Sequence, residues 1–466
     1  MKTPFPAAVL VLAALSGADA PPDPVAWIGA TLIDGTGAPP VRDAVVVVAG
    51  EKILAVGPRS GVAIPEGARR VDAAGRWIVP GFTDVRVSLA LSGDLYSRPE
   101  ILNLADLFNG GDSRAPAVAP RDVAETLARH LACGVTTVAD AGGPDFTFAL
   151  RNSLASLAAP APRVAVSGPL VSAHIGPAAA ANGDEDLPTV AVDTPEAASE
   201  IVRSILAKKP DFVNVDFPFW PENEIDDYAP IVRAAIAEAH AAGVRAAVRA
   251  RRLEAVRSAV AAGADAIVGG PDDAPLDTAL LTEMKRRGVV YATSLVAFEA
   301  FAEVVRRNVV LSEIEKRFGD QDAIRSFGDV GRWPENRLPD LDVLGDLDPT
   351  AVLADNLRRV RDAGVEIAVG STAGNIGVLH GPAIHREFEL LEKAGLSAGA
   401  VLAAATRGGA AFLGRLATSG TIEKGKLADF VVLAADPLAG ASSLSKIHRV
   451  VRGGAEFDPE TLVPKR

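Results

Sequence analysis

The feature that most constrains the fold of this chain is a repeated alternation between residues 80 and 414. Short apolar runs of strand character alternate there with alanine-rich segments of helical character. The eight runs are FTDVRVS, GVTTVAD, RVAVSG, FVNVDF, VRAAVRA, DAIVGG, VVYATSL and EIAVGS. Eight consecutive strand–helix units predict an α/β fold, specifically a (β/α)8 TIM barrel.

The two ends of the chain have a different pattern, with short β-branched runs separated by glycine and aspartate turns. The simplest interpretation is one small β-sandwich that both termini build beside the barrel. The predicted domains are residues 1–20 as a leader, 21–79 and 415–466 as the two parts of the sandwich, and 80–414 as the barrel.

Three insertions interrupt the strand–helix repeat, at residues 89–120, 175–190 and 297–350. Each follows a predicted strand, so each is expected at the carboxyl-terminal face of the barrel, where active sites form. The longest, 297–350, is a candidate lid. The alternatives are a surface excursion without a role and a contact to another subunit.

Composition excludes several classes of protein. The 466 residues carry a formal net charge of -12 with a pI near 5.1, so a general nucleic-acid binder, which needs a basic surface, is excluded. No stretch reaches the roughly 18 uninterrupted apolar residues of a membrane span. The one cysteine, Cys133, cannot form an intrachain disulfide, and its place in LACGVTTV indicates a buried small residue.

The amino terminus has the pattern of a secretory signal peptide. Lys2 precedes an apolar stretch of about a dozen residues, and Ala18-Asp19-Ala20 provides a small-x-small cleavage site. We therefore expect an exported protein, periplasmic or secreted. The alternative is a disordered or weakly anchored amino terminus.

Five motifs carry a family resemblance, and they follow one another in the order LIDGTG, VDAAGRWIVPGFTDVRVSL, GVTTVADAGG, HGPAIHREFELLEKAGLSAGAVLAAATRGGAAFLG and GTIEKGKLADFVVLAADPL. Together they resemble the amidohydrolase superfamily, and within it the imidazolonepropionase and Xaa-Pro dipeptidase-like branch. The resemblance extends from about residue 26 to 455. It implies a metal-centred (β/α)8 barrel with a composite β-sandwich, and hydrolysis of C–N bonds by a metal-activated water.

The resemblance also implies that the metal-ligand positions of the family are substituted in this chain. Carried over one by one from barrel strands one, four, five, six and eight, these positions are Arg86, Ser88, Asn214, Arg249, Gly269 and Thr372. Arginine has no lone pair to offer, and a zinc site needs three or four N, S or carboxylate ligands. We therefore expect no zinc or other divalent metal, and no other cofactor.

Two arginines would stand in the place of the metals. Strand alternation places Asp84, Arg86 and Ser88 on one face, which the resemblance makes the barrel interior, with Arg249 pointing inward from another strand. One interpretation is a pocket for a small anion, held by two guanidinium groups. The other is that Arg86 and Arg249 pair with Asp84, Asp140 or Asp216 and fill the barrel, because buried charges must be paired.

The remaining candidates come from the strand ends and the loops after them. His174 lies where the resembling branch has a histidine near its substrate, so it is a substrate contact or general base, or else a loop residue without a task. Asp140 fits a loop-capping carboxylate, and His385 a contact at the start of a helix. Ser371 has the position of a nucleophile but no partner recognisable in the sequence.

Three functional hypotheses remain open. The chain is a non-metal, inactive or impaired homologue that binds a small ligand, an active hydrolase with metal-free acid–base chemistry, or a silent subunit of a hetero-oligomer. The candidate ligand-binding residues are Asp84, Arg86, Ser88, His174, Asn214, Arg249 and Thr372. The expected partners are a small-molecule ligand and other copies of the chain in a homo-oligomer, with neither nucleic acid nor a membrane span.

Overall fold

A computed structural model describes residues 23–95, 97, 123–154, 160–173, 188–217, 225–332 and 349–464. The predicted leader, His174 and large parts of the three insertions lie outside these ranges. Within them the strands are β1 Val25–Leu32, β2 Val41–Ala49, β3 Lys52–Pro58, β4 Arg69–Asp72, β5 Trp77–Pro80, β6 Phe82–Val87, β7 Val135–Asp140, β8 Arg163–Val166, β9 Leu170–Ser172, β10 Thr189–Ala191, β11 Val213–Asp216, β12 Ala246–Arg249, β13 Ala266–Val268, β14 Val290–Ala292, β15 Ile367–Ala368, β16 Phe430–Leu433, β17 Ile447–Arg452 and β18 Ala455–Phe457.

The α-helices of the described residues are α1 Val123–Ala132, α2 Phe146–Leu154, α3 Pro195–Ala207, α4 Ile225–Ala241, α5 Leu253–Ala262, α6 Thr278–Arg287, α7 Leu295–Val305, α8 Glu313–Phe318, α9 Gln321–Ser326, α10 Pro349–Ala363, α11 Ala383–Lys393, α12 Ala398–Ala403, α13 Gly409–Phe412 and α14 Pro459–Leu462. A π-helical turn, Ala404–Gly408, joins α12 to α13, and 3-10 turns lie at Phe327–Arg332 and Ala441–Ser445. None of the helices in this part of the chain combines the length and the apolar character that a membrane crossing requires.

All eight runs predicted to be strands contain one, namely β6, β7, β8 and β11 to β15. They belong to two parallel sheets, one with the order β6-β7-β8 and one with the order β10-β9-β11-β12-β13-β14-β15. The predicted α/β class is therefore confirmed. In parallel sheets of this kind all carboxyl ends lie at the same edge, which brings residues far apart in sequence together.

Backbone hydrogen bonds also connect the two parallel sheets. Val85 N donates to Val369 O at 2.9 Å and Thr372 N to Arg86 O at 2.8 Å, so β6 lies beside β15. On the other side, Asp211 N donates to Val166 O at 2.8 Å, just before β11 and at the end of β8. The first and last strands of the repeat are thus neighbours.

Small side chains from several parallel strands pack together in one buried cluster. One buried cluster includes Ala139, Ala165, Ala247, Ala292 and Ala368, each from a different parallel strand. A much larger cluster of valine, isoleucine and leucine packs the opposite faces of the strands against the helices. Each strand is therefore buried on both faces, as expected for a parallel sheet covered by helices.

The two ends of the chain pair in one separate sheet of eight strands. Its order is β18-β17-β16-β5-β1-β2-β3, with β4 paired to β1. The amino-terminal and carboxyl-terminal parts meet where β16 runs antiparallel to β5, with Phe430 opposite Pro80. The rings of Trp27 and Phe430 pack edge to face at 5.6 Å inside it. The two termini thus share one sheet, which is the strand pairing that the predicted β-sandwich requires.

The described part of the longest insertion packs against α11. Residues 297–332 contain most of α7, then α8, α9 and a 3-10 turn. Arg386 on α11 contacts Glu299 Oε2 at 2.8 Å and Glu303 Oε1 at 2.6 Å, and its side chain is only 10% exposed. This part of the insertion is therefore anchored to the helical layer, while residues 333–348 of the candidate lid lie outside the described ranges.

Candidate functional site

The Arg86 side chain crosses the space at the carboxyl ends of the parallel strands. A Cβ at Gly370 would stand 2.9 Å from Arg86 Cβ, so only glycine fits beside the start of this side chain. A Cβ at Gly269, after β13, would stand 3.8 Å from Arg86 Nη1 and 3.4 Å from Ser294 Oγ. Arg86 is only half-buried. The Arg86 side chain therefore lies among the strand ends, and the residue is partly exposed.

Arg249 and Asp216 form a buried ion pair on neighbouring strands. The register of β11 and β12 puts the two residues opposite each other. Arg249 Nε donates to Asp216 Oδ1 at 2.7 Å and Nη2 to Oδ2 at 2.9 Å, and both residues are 6% exposed. Ser172 Oγ donates to Asp216 Oδ2 at 3.3 Å. This two-point geometry fixes the guanidinium plane and balances its charge locally, as the barrel-filling interpretation predicted for Arg249.

Asn214, Ser88 and Thr372 are all buried at the strand ends. Asn214 Nδ2 donates to Ala141 O at 3.1 Å, and its Oδ1 has no partner among the described residues. Ser88 N donates to Ala373 O at 2.9 Å. Thr372 has φ 58°, an unusual backbone conformation for a β-branched residue, and its Oγ1 donates to Ser371 O at 2.5 Å. Among these described contacts, the Asn214 side chain bonds to the residue that follows β7, the Ser88 contact is made by the backbone, and the Thr372 hydroxyl bonds to the adjacent residue.

Asp84 connects β6 to the residues that follow β15. Its Oδ2 accepts from Ser371 Oγ at 2.5 Å, and its Oδ1 accepts from Ser371 N at 2.9 Å and Arg86 N at 3.2 Å. Complete burial raises the pKa of Asp84 to about 6, although these hydrogen bonds oppose the rise. The β6–β7 register shifts between Asp84 and Val87, so simple alternation does not extend through this strand.

The contacts of Asp84 and Ser371 also decide what this pair can do chemically. The Ser371 hydroxyl donates to Asp84 and accepts from Ala373 N at 3.1 Å, so it is engaged on both sides. A serine nucleophile needs a general base that can take its proton and then release it to a leaving group. Asp84 has no exposed surface on which a substrate could meet it. The Asp84–Ser371 hydrogen bonds therefore have a structural role, because they connect β6 to the segment after β15.

Asp140 and His385 have the roles that the sequence indicated. Asp140 Oδ1 accepts from Leu89 N at 2.9 Å, so the carboxylate caps the loop after β6. His385, near the start of α11, bonds through Nε2 to Cys133 O at 2.9 Å. Burial lowers the pKa of His385 to about 4, so this imidazole stays neutral at physiological pH. Cys133 itself is buried, as predicted.

The side chains at these strand ends do not fit a divalent cation. Within the described ranges no group of three or more His, Cys, Asp or Glu side chains could hold a metal ion. Asp216 is engaged by Arg249, and Asp84 by Ser371. A guanidinium group close to such a position repels a cation, and a zinc site needs three or four donors with lone pairs. These side chains therefore support no metal-dependent chemical step.

Glu387 on α11 is a buried acid that no pattern in the sequence singles out. Its Oε1 accepts from Leu295 N at 3.0 Å and its Oε2 from Val296 N at 2.7 Å, so it caps the start of α7 from another helix. Complete burial and, to a smaller extent, the nearby Asp84 charge raise the pKa of Glu387 to about 7, although the Thr293 side chain and the two backbone N–H groups oppose the rise. An apolar helix face with one acid gives no signal that could have identified this contact.

Comparison with known sequences gives one family. A sequence model of the amidohydrolase family matches residues 77–456, more than half of the chain. A curated relative, the imidazolonepropionase of Arthrobacter sp. (strain FB24), is 32% identical over 94 residues. That match covers 20% of this chain and 23% of the relative, so the activity of the relative as a whole does not transfer with it.

Comparison with solved structures extends over nearly the whole chain. A Xaa-Pro dipeptidase with methionine bound in its active site is 20% identical, with a TM-score of 0.70, 94% of this chain covered and 100% of that one. Molinate hydrolase is 21% identical, with a TM-score of 0.70 and coverage of 96% and 97%. Ochratoxinase of A. niger is 16% identical, with a TM-score of 0.69 and coverage of 94% and 96%. At these identities the likeness shows the fold alone.

Proposed function

Because this chain belongs to the amidohydrolase family, we propose that it is a homologue whose strand-end site has exchanged metal-dependent C–N hydrolysis for the binding of a small anion. The observation that carries the proposal is the buried Arg249–Asp216 pair, at a position where the family resemblance implies a metal ligand. A guanidinium group supplies positive charge and hydrogen-bond donors but cannot activate a water molecule as a metal does.

We further infer that the parallel strands close into one eight-stranded barrel. The hydrogen bonds between β6 and β15, and between the end of β8 and the start of β11, support this closure. The shared sheet of the two termini would then fold around the Trp27–Phe430 contact as the composite sandwich. This arrangement gives one ring of strand ends around the Arg86 guanidinium group.

The two arginines have different tasks in this proposal. Arg249 is buried and bound at two points by Asp216, so its charge is already balanced. Arg86 is half-buried and extends toward Gly269, so its charge lies nearer to solvent. We therefore assign the anion contact to Arg86 and the support of the site to Arg249. A carboxylate or phosphate is the anion class whose geometry matches a guanidinium fork.

A metal-free hydrolase is the weaker of the functional alternatives. Asp84 and Ser371 satisfy each other, and Asp216 is held by Arg249. In the described residues none of these three side chains is placed to move a proton to or from a substrate. His174, the other candidate base, lies outside the described ranges.

The first test concerns metal. We expect the purified protein to contain well under one equivalent of zinc, manganese or iron, because the donor set does not fit them. Addition of a chelator should leave the melting temperature unchanged, since no metal-binding free energy is coupled to folding. Elemental analysis and thermal melts measure both quantities. Stoichiometric metal that survives dialysis would contradict the proposal.

The second test concerns the anion. A panel of acetate, succinate and inorganic phosphate should include at least one anion that raises the melting temperature of the wild type. Arg86→Met should weaken that binding by roughly ten- to a hundredfold, because a charge-assisted hydrogen bond contributes about 1.5–3 kcal/mol. Titration calorimetry measures the change in affinity directly.

Arg257→Met is the matched control for this test. Arg257 lies on α5, is 43% exposed and pairs with Asp277 on the surface. Its replacement removes the same charge from the protein and should leave anion binding unchanged. Equal binding by the wild type and the Arg86 variant would show that the anion contact is elsewhere. If none of the anions raises the melting temperature of the wild type, the proposal that this site binds a small anion is wrong.

A further inference from the structure

A pair of buried histidines lies beside the candidate site and has no part in the function proposed above. His130 on α1 and His380 before α11 are 250 residues apart in sequence, and their rings meet edge to face at 5.3 Å. His130 Nε2 lies 3.1 Å from His380 Nδ1. His380 Nε2 lies 2.8 Å from Leu91 O, in the loop that follows β6. The pair therefore links a helix, a loop and the segment after β15.

The hydrogen bonds determine where the protons of this pair lie. Leu91 O can only accept, so His380 carries its proton on Nε2 and its Nδ1 is an acceptor. His130 must then donate from Nε2, which leaves its Nδ1 without a proton. That Nδ1 is buried and has no partner among the described residues. A second proton on His130 would thus go to Nδ1 and form a buried N–H donor without an acceptor. A second proton on His380 would go to its Nδ1, which faces the Nε2–H donor of His130.

The segments that the pair links are also joined by backbone contacts at the strand ends. Gly93 N donates to Gly374 O at 2.8 Å, and Gly377 N donates to Gly93 O at 3.1 Å. Gly381, next to His380, lies so close to α1 that an added Cβ would stand 2.5 Å from Arg129 O. The loop after β6 and the segment after β15 thus form one layer over α1, in which His380 provides a side-chain connection.

In the described contacts, the charged side chain next to His130 on α1 is engaged by other partners. The Arg129 guanidinium group points away, donating to Phe318 O at 2.8 Å and Gly319 O at 2.9 Å, and it pairs with Glu125. Burial lowers the pKa of His130 well below its usual range, and the positive charge of protonated His380 lowers it further.

The neighbouring loop and helix contribute two more titratable side chains. Asp94, in the loop that carries Leu91, is buried. His385 on α11 is engaged with Cys133 O. Among the described contacts, neither carboxylates nor backbone carbonyls accept a hydrogen bond from His130 Nδ1. The closed arrangement therefore requires both imidazoles to be neutral.

We propose that His130 and His380 form an acid-sensitive clasp, whose protonation releases Leu91 O and loosens the loop after β6 from the segment after β15. An opened histidine takes up a proton near pH 6.5, whereas the closed pair resists it, so acid favours the open form below about pH 6.5. The loop that opens carries Ser88 at its start, so acid would widen access to the strand-end site. The inference does not depend on what that site binds.

The test is amide hydrogen exchange read by mass spectrometry at pH 7.5 and pH 5.0, after correction for the intrinsic exchange rate. In the wild type we expect protection in peptides covering 88–97 and 374–382 to fall at least about tenfold at pH 5.0, while peptides from α4 change little. His380→Gln retains an amide donor for Leu91 O but cannot titrate, so the fall should disappear. His240→Gln, at a surface histidine paired with Asp265, should retain it.

A second measurement needs no variant. Exchange of the imidazole C2 hydrogen in the wild type reports the protonation of each histidine, and both His130 and His380 should still be neutral at pH 6.5, where an ordinary imidazole is half protonated. Loop protection that is the same at both pH values, or two histidines that are half protonated at pH 6.5, would overturn the clasp. A His380→Gln protein that still loses protection at pH 5.0 would also overturn it.

Discussion

Replacing Arg249 with methionine should lower the free energy of unfolding by about 3–5 kcal/mol, the usual cost of leaving one partner of a buried ion pair alone. Asp216 would keep its place on β11, 6% exposed, and among the described residues the 3.3 Å contact from Ser172 would remain in place of two strong hydrogen bonds. A buried carboxylate without a partner takes up a proton instead of remaining charged. The loss in free energy of unfolding caused by Arg249→Met should therefore become smaller as the pH falls. Urea unfolding at several pH values measures it.

Two further proteins separate the loss of the pair from the loss of an arginine. The double variant Arg249→Met with Asp216→Leu removes both charges and should recover most of the lost stability, because no ion remains buried. Arg257→Met breaks a pair whose partners are both 43% exposed, and it should cost no more than about 1 kcal/mol. An Arg249→Met protein as stable as Arg257→Met would show that Asp216 is not held by this pair.

The strands of the barrel region could be predicted because their signal is local. Each of the eight runs is short, apolar and rich in β-branched residues, and burial on both faces requires that composition. The pairing of Arg249 with Asp216 could be proposed only as one of several alternatives. Which carboxylate faces which arginine depends on the register between β11 and β12, and hydrogen bonds between strands set that register.

The sequence was less informative where the backbone departs from regular geometry. Strict alternation put Asp84 on the face of Arg86, but the register shift in β6 intervenes, and the Asp84 carboxylate bonds to Ser371 after β15. A bulge of this kind leaves no mark in the residue types around it. Similarly, nothing in the residues around His130 indicates a partner for its side chain. Its partner is 250 residues away, and only the fold brings the two rings together.

The second large effect concerns Glu387, whose charge should destabilise the folded protein above pH 7. The unfolded chain loses this proton near pH 4.5, whereas the folded protein keeps it until about pH 7. Between these values the folded state binds more protons, so its stability falls as the pH rises. At 1.36 kcal/mol per pKa unit, the difference between the pKa of Glu387 in the folded and unfolded states corresponds to a loss of about 3 kcal/mol in the free energy of unfolding.

Glu387→Gln removes the titration and retains the shape of the side chain. One amide oxygen can still accept from Leu295 N or Val296 N, so a constant loss from the other contact is expected at every pH. In addition to this constant loss, the free energy of unfolding of the variant should rise by about 3 kcal/mol relative to that of the wild type between pH 4.5 and pH 7.5. Taking the difference between variant and wild type cancels the titration of the histidine pair, which acts in the opposite direction.

Glu283→Gln is the control for this pH dependence. Glu283 is on the surface of α6, where Arg286 and then Arg287 lower its pKa to about 2. The contribution of Glu283 to stability is lost only as the pH falls below about 4.5. The free energy of unfolding of this variant should therefore change with pH as that of the wild type does from pH 4.5 to pH 7.5. A parallel course for Glu387→Gln as well would mean that the Glu387 carboxylate is already ionised in the folded protein at acidic pH. The two N–H groups at the start of α7 would then compensate for its burial, and the acid that caps this helix would be a stabilising charge throughout.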